Sequence, residues 1–154
     1  MATALRTIGY EGASLEDFIS ALKHARVSVL IDIRAVAVSR RKGFSKTALA
    51  SALSEADIGY LHLRDLGDPK PGREAARAGR ISEFRAIYSA HLRGAVAQAA
   101  LAEATRVAGY RDACLLCYEA EPNHCHRSMV AAAIARKTGL AIKHLYPNLP
   151  RATA

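Results

Sequence analysis

The sequence predicts an α/β protein: a three-layer, Rossmann-like domain with a mostly parallel sheet of about five strands and helices on both faces. Three observations lead there. Short apolar runs alternate with longer amphipathic segments in the order β-α-β-α-β-α-α-β-α-β, which calls for crossover connections. The run Val27–Arg34 (VSVLIDIR) is apolar on both faces until Asp32, the pattern of a central parallel strand. Glycines and polar residues cluster just after several of these runs, at the end of the sheet where such folds keep their ligand crevice.

In chain order, Leu5–Tyr10 (LRTIGY) is the first strand, and the turn GYEGAS follows it. Ser14 is a suitable N-cap for the helix LEDFISALKHA, with Asp17 three residues on as a loose capping box. Leu15, Phe18, Ile19 and Leu22 recur at helical spacing and form its buried face. After the second strand, the basic loop AVAVSRRKGF leads to Ser45, a cap for KTALASALSEAD with Leu49, Ala52, Leu53 and Ala56 inward. Ile58–Leu63 (IGYLHL) alternates like a shorter strand. The proline- and glycine-rich segment RDLGDPKPGREAARAGR reads as a mobile cover or a short irregular helix. From Ser82 to Ala108 the spacing is helical, with a break near Gly94; Phe84, Ile87, Tyr88 and Leu92, then Val96, Ala100, Leu101 and Ala104, mark the apolar face. Ala113–Tyr118 is a buried strand, SMVAAAIARKTG a helix closed by Gly139, and Ala141–Leu145 the last strand. The chain fits one domain, 1–154, with 147–154 as a frayed tail.

The formal net charge is +8, a balance that suits an anionic partner such as a nucleotide or nucleic acid. A basic surface with no polyanion partner explains it equally well. With no Trp and only three Phe, a stacking platform for single-stranded bases is not expected. No apolar run approaches the roughly 20 residues that span a bilayer, and no signal-like leader is visible, so the expected location is cytoplasmic, with no membrane partner. Three cysteines, an odd number, point to reduced thiols rather than a disulfide frame.

The chemistry concentrates in ACLLCYEAEPNHCHR, residues 113–127. Between Cys117 and Arg127 lie two cysteines, two histidines, two carboxylates and an arginine. Strand, polar loop and helix start together form an anion-receiving arrangement. Cys125, beside His126 and Arg127 at a helix start, is a candidate thiolate nucleophile; a plain loop residue is the competing reading. Cys117 and Glu119 share a strand face, as nucleophile and base or as inert core. Cys114 faces the other way and belongs to the core, so Cys114 and Cys117 are not a redox or zinc pair. Arg127 opposes the helix dipole, which favours a fork aimed at a phosphate or carboxylate, or a salt bridge to Glu11, Asp32 or Glu119. The general layout resembles the loops of thiol phosphatases and sulfurtransferases, but nine residues separate Cys117 from Arg127 and only one separates Cys125 from it, which argues against a phosphatase.

Metal competes for the same side chains. Cys117, Glu119, His124, Cys125 and His126 are suitable ligand types, yet no second C-x-x-C or H-x-x-x-H completes a tetrahedral set, and no metal ligand is assigned. Gly9 and Gly12, with Asp32 twenty residues after Gly12, form a fragment of a dinucleotide fingerprint whose glycine spacing is wrong, so no cofactor is named. Asp32 and Arg34 share a strand face and can pair. Ser39, Arg40, Arg41 and Lys42 are either a solvated loop or a contact for phosphate.

TIGYEG, LIDIRAVAVSRRKGFSKTALASAL, IGYLHLRDLG and LLCYEAEPNHCHRSMVA together resemble the domain-of-unknown-function family 488 over nearly the whole chain. The loop C-x-E-x-x-P-x-x-C-H-R is the most specific part. The resemblance implies a compact α/β domain and places Gly9, Gly12, Asp32, Arg34, Ser39, Cys117, Glu119, Pro122, Cys125, His126 and Arg127 at the motif positions. It implies no activity. Ala37 departs from the pattern, where a proline is expected.

The functional expectation is an enzyme acting on a phosphate-bearing substrate. Cys117, Glu119, Cys125, His126, Arg127 and Asp32 would form its catalytic group; Gly9, Tyr10, Glu11, Gly12, Arg34, Ser39 and Arg40 would bind the substrate. A non-catalytic nucleic-acid-binding protein and a metal-binding protein using the Cys/His loop are the alternatives.

Overall fold

The computed structural model describes residue 2 and residues 4–148. The strands are β1 (Ala4–Gly9), β2 (Val29–Asp32), β3 (Gly59–His62), β4 (Ala113–Cys117) and β5 (Ala141–Leu145). The helices are α1 (Leu15–His24), α2 (Lys46–Glu55), α3 (Lys70–Arg77), α4 (Ile81–Arg93), α5 (Ala95–Tyr110) and α6 (Arg127–Thr138). The sheet order is β3-β2-β4-β1-β5, and every pairing is parallel. The three-layer α/β expectation is met.

Two apolar clusters line the two faces of the sheet. On one, Ile8, Leu30, Cys114 and Leu116 meet Phe18 and Leu22 of α1 and Leu49 and Leu53 of α2. On the other, Leu5, Val29, Ile31 and Leu115 meet α3 to α6 through Ala75, Phe84, Tyr88, Leu101, Ala104, Val130 and Ile134. Strand alternation assigns each side chain to its layer. Because α1 and α6 leave on opposite faces, the loops after β1 and β4 part there, which is the switch point of such a sheet.

Local chemistry explains the element ends. Ser14 Oγ accepts the Asp17 N–H at 3.0 Å and starts α1. Gly139 closes α6 at φ 75°. Gly94 separates α4 from α5. The break resets the helical phase: Ala97 is buried and Val96 exposed, reversing the expected inward placement of Val96. Ser45 occupies the N-cap position of α2 without capping it. Its hydroxyl instead accepts the Ser39 N–H at 3.0 Å and clamps the base of the basic loop. The proline-rich segment is ordered, with a 3₁₀ turn at Arg64–Leu66 followed by α3. Tyr88 Oη donates to Leu66 O at 2.6 Å, and His91 Nε2 to Asp65 O at 2.8 Å. Pro147, expected in a frayed tail, is buried, and Asn148 donates to Glu11 O at 3.0 Å; residues 149–154 lie outside the described residues. Among the described residues no helix is long and apolar enough to cross a membrane.

The thiols need a correction. Cys117 and Cys125 form a disulfide across eight residues, whereas Cys114 is free and buried. An odd count of cysteines does not reveal that α6, crossing back over β4 and β1 toward β5, folds the loop onto the end of its own strand. Gly9 makes room for this return. Paired with Cys117 in the sheet, it lies so close to the loop that an added Cβ would sit 1.8 Å from Glu119 O and 2.8 Å from Arg127 Nη1.

Backbone blocks the first of those contacts, so Gly9→Ala is expected to cost at least about 2 kcal/mol, within the range of overpacking. Urea unfolding measures it; an unchanged midpoint would show that the loop yields freely.

Candidate functional site

Register places the three loop starts on one rim: Gly9 pairs with Cys117, and Asp32 with both Leu116 and His62. They do not form one site. Asp32 has the parity of Leu30 and lies toward α1 and α2; Cys117 has the parity of Leu115 and lies toward α6.

On the α1/α2 side is a closed ionic network. Arg34 Nε donates to Asp32 Oδ1 at 2.9 Å and Nη2 to Oδ2 at 2.7 Å, a bidentate fork. The Arg34 N–H adds a bond to Oδ1 at 3.1 Å, and Tyr60 Oη donates to Oδ2 at 2.5 Å. Arg34 Nη1 donates to Phe44 O at 2.7 Å and to Tyr10 Oη at 3.3 Å. Tyr10 stacks on Phe44 with centroids 4.5 Å apart. Asp32 is 0% and Arg34 6% exposed. Burial opposes the Arg34 charge, yet the hydrogen bond and charge of Asp32 hold its pKa above the usual value. Burial, with the Asp32 hydrogen bond, raises Tyr60. Asp32 is therefore saturated by donors and is not set up as a general base. Arg34 is likewise committed and is not an open anion fork.

On the α6 side stands the cysteine loop. Arg127 is fully buried, its guanidinium folded back over the loop that precedes it. Nε donates to Thr7 Oγ1 at 3.0 Å, Nη2 to Ala120 O at 3.1 Å, and Nη1 to Glu119 O and to Cys117 Sγ, the latter at 3.1 Å. Burial lowers its pKa, with Glu119 among the groups that oppose the fall. Among the described residues Arg127 forms no salt bridge to Glu11, Asp32 or Glu119; from the helix start its guanidinium gathers the carbonyls of the preceding loop instead. Thr7, absent from the sequence-based list, also bonds His144 Nδ1 at 2.6 Å.

His126 is 7% exposed, and its Nε2 donates to Ile33 O at 2.7 Å. A carbonyl only accepts, so the proton is on Nε2, and Nδ1 faces Cys125 Sγ at 3.5 Å with its lone pair free. Burial lowers the His126 pKa to about 4 against the helping Ile33 bond. Glu119 is half-buried; burial raises its pKa, and the Cys117 and Cys125 sulfurs and its carboxylate all lie within 4.8 Å of one another. His124 is exposed and outside that group. Pro122 is buried in the 3₁₀ turn 122–124.

A second carboxyl was not legible in the sequence. Asp68, in the turn before α3, is 5% exposed, and its Oδ1 has no hydrogen-bond partner among the described residues. Burial pushes it up to about 7, Arg73 working against the rise and Glu119 adding to it. A lone Asp in a proline-rich loop carries no signal; only packing places it within electrostatic range of Glu119.

The GYEG turn joins the two halves. Glu11 N–H donates to Tyr118 O at 2.8 Å, and Glu11 Oε1 accepts the Ala120 N–H at 3.1 Å. Gly12 takes φ 75°. In the basic loop, Ala37 O accepts the Lys46 N–H at 2.8 Å and Ser39 Oγ the Arg41 N–H at 3.1 Å. Arg41 donates to Ala13 O. Arg40 and Lys42 are exposed and have no hydrogen-bond or ion-pair partner among the described residues, beside exposed Val36 and Val38.

Fold and loop together define a doubly wound parallel α/β protein with a bonded pair of cysteines at its switch point. The family model described as Domain of unknown function DUF488 matches residues 14–134, and the chain belongs to that family. No curated protein and no solved structure gives a significant match.

Replacing Arg34 with Met strands the Asp32 charge in the core, at an expected cost of about 3–5 kcal/mol. In the Asp32→Asn/Arg34→Met double variant the loss should be smaller, which urea melts of the single and double variants will measure. For Asp68 the folded pKa lies above the unfolded carboxyl value. Its contribution is therefore whole below about pH 4 and lost as pH rises through about 7. Relative to wild type, Asp68→Asn should gain at least about 1.4 kcal/mol between pH 5 and pH 8, the worth of one pKa unit. His126 works the other way in both proteins, losing stability as pH falls from about 6.5 through about 4. A pH-independent difference between the two proteins would show that Asp68 is ionised in the fold.

Proposed function

We propose that the protein is a thiol enzyme whose reduced Cys117/Cys125 pair is the working form, with a phosphate-bearing substrate such as a nucleotide or nucleic acid. The carrying observation is the neutral His126, held by Ile33 O with Nδ1 turned to Cys125 Sγ. A base so oriented accepts the thiol proton and leaves Cys125 as nucleophile. Arg127, 3.1 Å from Cys117 Sγ, favours the thiolate of the second cysteine. Half-buried Glu119 and buried Asp68, within electrostatic range of each other, supply carboxyl groups for proton transfer. The phosphate part of the reading rests on Arg40 and Lys42, cations with no internal partner, since Arg34 and Arg127 are spent inside the fold.

The exposed loop of Val36, Val38, Arg40 and Lys42 also favours a second reading, a non-catalytic nucleic-acid-binding protein. That reading requires affinity for DNA or RNA that falls steeply with salt and is untouched by Cys125→Ser.

With the disulfide reduced, Cys125 should be alkylated by iodoacetamide at least roughly tenfold faster than in the His126→Phe variant, the low end of a general-base contribution. Peptide mass spectrometry reads each cysteine separately; equal rates in the two proteins overturn the assignment of His126. Fluorescent nucleoside triphosphate binding that persists unchanged in Arg40→Ala/Lys42→Ala overturns the substrate part.

A further inference from the structure

We propose that the reduced protein binds one thiophilic divalent cation, of the zinc class, through Cys117 Sγ, Cys125 Sγ and the Glu119 carboxylate, and that disulfide formation expels it. The inference shares with the enzyme reading only the reduced state of the pair; it does not need Cys125 to act as a nucleophile.

Geometry is the first support. With the disulfide closed, both sulfurs and a Glu119 carboxylate oxygen lie within 4.8 Å of one another, so the two sulfurs need only part on reduction for all three to surround one cation. They come from two different elements. Cys117 ends β4, Glu119 follows at the same strand parity, and Cys125 arrives from the far side of the 3₁₀ turn 122–124 just before α6. Each is held by something other than the cation. Gly9 lets the Glu119 backbone approach β1, Arg127 fixes the Glu119 carbonyl, and Ser128 Oγ donates to Cys125 O at 3.2 Å. A set of ligands anchored in advance loses little freedom on binding.

Charge is the second. Arg127 is a wholly buried cation whose four hydrogen-bond partners among the described residues are a hydroxyl, two carbonyls and a sulfur; none of them is a carboxylate. Two thiolates and a carboxylate bring three negative charges. A divalent ion and the Arg127 guanidinium bring three positive ones, so the filled site is neutral as a whole. Ligand type is the third: two sulfurs with one oxygen select zinc-like ions over magnesium or calcium, and three protein ligands leave a fourth position for water or substrate.

The same sulfurs cannot serve both states. A dithiol reductant delivers two electrons and two protons to the Cys117–Cys125 bond and itself becomes a disulfide, giving two protein thiols. On metal binding those thiols release two protons to solvent. In reverse, a disulfide-class oxidant takes two electrons from the two thiolates, the S–S bond forms, and the cation leaves with only Glu119 to hold it. Thus the loop reads the thiol–disulfide balance as metal occupancy.

The test uses the untagged full chain, reduced with a phosphine and desalted without oxygen, against an oxidised sample. Zinc is the probe, with cobalt substitution to report thiolate ligation. About one zinc per chain in the reduced protein is expected, with a thiolate-to-cobalt charge-transfer band and none in the oxidised one. Glu119→Gln should weaken zinc roughly tenfold or more, and Cys117→Ser and Cys125→Ser should abolish the band. Cys114→Ala should leave affinity unchanged. Circular dichroism confirms that each variant is folded. Failure of the reduced, folded wild type to bind zinc overturns the proposal, as does equal binding by the oxidised protein or by Cys125→Ser. Absent zinc binding with His126-dependent alkylation intact rejects this inference alone; stoichiometric zinc binding with His126-independent alkylation rejects only the enzyme reading.

Discussion

The guanidinium of Arg127 ties β1, the end of β4 and the first turn of α6 into one unit, because it alone reaches Thr7, the Glu119 and Ala120 carbonyls and Cys117 at once. Those carbonyls belong to a loop that has left the sheet and has no strand partner. Buried without donors, each would carry a desolvation cost of about 1–3 kcal/mol. Arg127 offsets that cost from the helix start, and the absent side chain of Gly9 keeps the loop near enough for it to do so. The positions of both cysteines follow from this attachment.

The sheet then divides the polar interior in two. Toward α1 and α2, Asp32, Arg34, Tyr60 and Tyr10 satisfy one another and leave little capacity for a ligand. Toward α6, the inventory among the described residues is unbalanced: a cation with no carboxylate bond, a carboxyl oxygen with no donor, an imidazole nitrogen that faces only a sulfur. Groups already satisfied gain nothing from a substrate, so the proposed chemistry is placed on the unbalanced side. The saturated network acts as a brace, fixing the end of β2 beneath the basic loop.

Much of this was legible in the sequence. Alternating strands and helices gave the architecture, parity set Cys114 aside as core, and the stretch from Cys117 to Arg127 marked out the loop that the fold turns back onto its own strand. What escaped had a common cause. Parity along one strand reports which face a residue takes but not which face another strand's residue takes, so Asp32 and Cys117 were expected to converge and instead stand on opposite sides. Asp68 and Thr7 join the site through packing between elements far apart in the chain. Val96 was assigned inward because a break at Gly94 resets helical phase by an amount the spacing does not reveal.

The strand order has a consequence for the making of the protein. β1 lies between β4 and β5, so the first strand synthesised has for neighbours the last two. Until residue 113 and beyond emerge, β1 has no partner in the sheet, and β2 and β3 can form only a two-stranded fragment. Loop closure over more than a hundred residues comes before the central pairing, which makes for slow, late completion of the core. During that interval Ile8 and its neighbours stand exposed, and a nascent chain in this state depends on whatever shields an unpaired apolar strand.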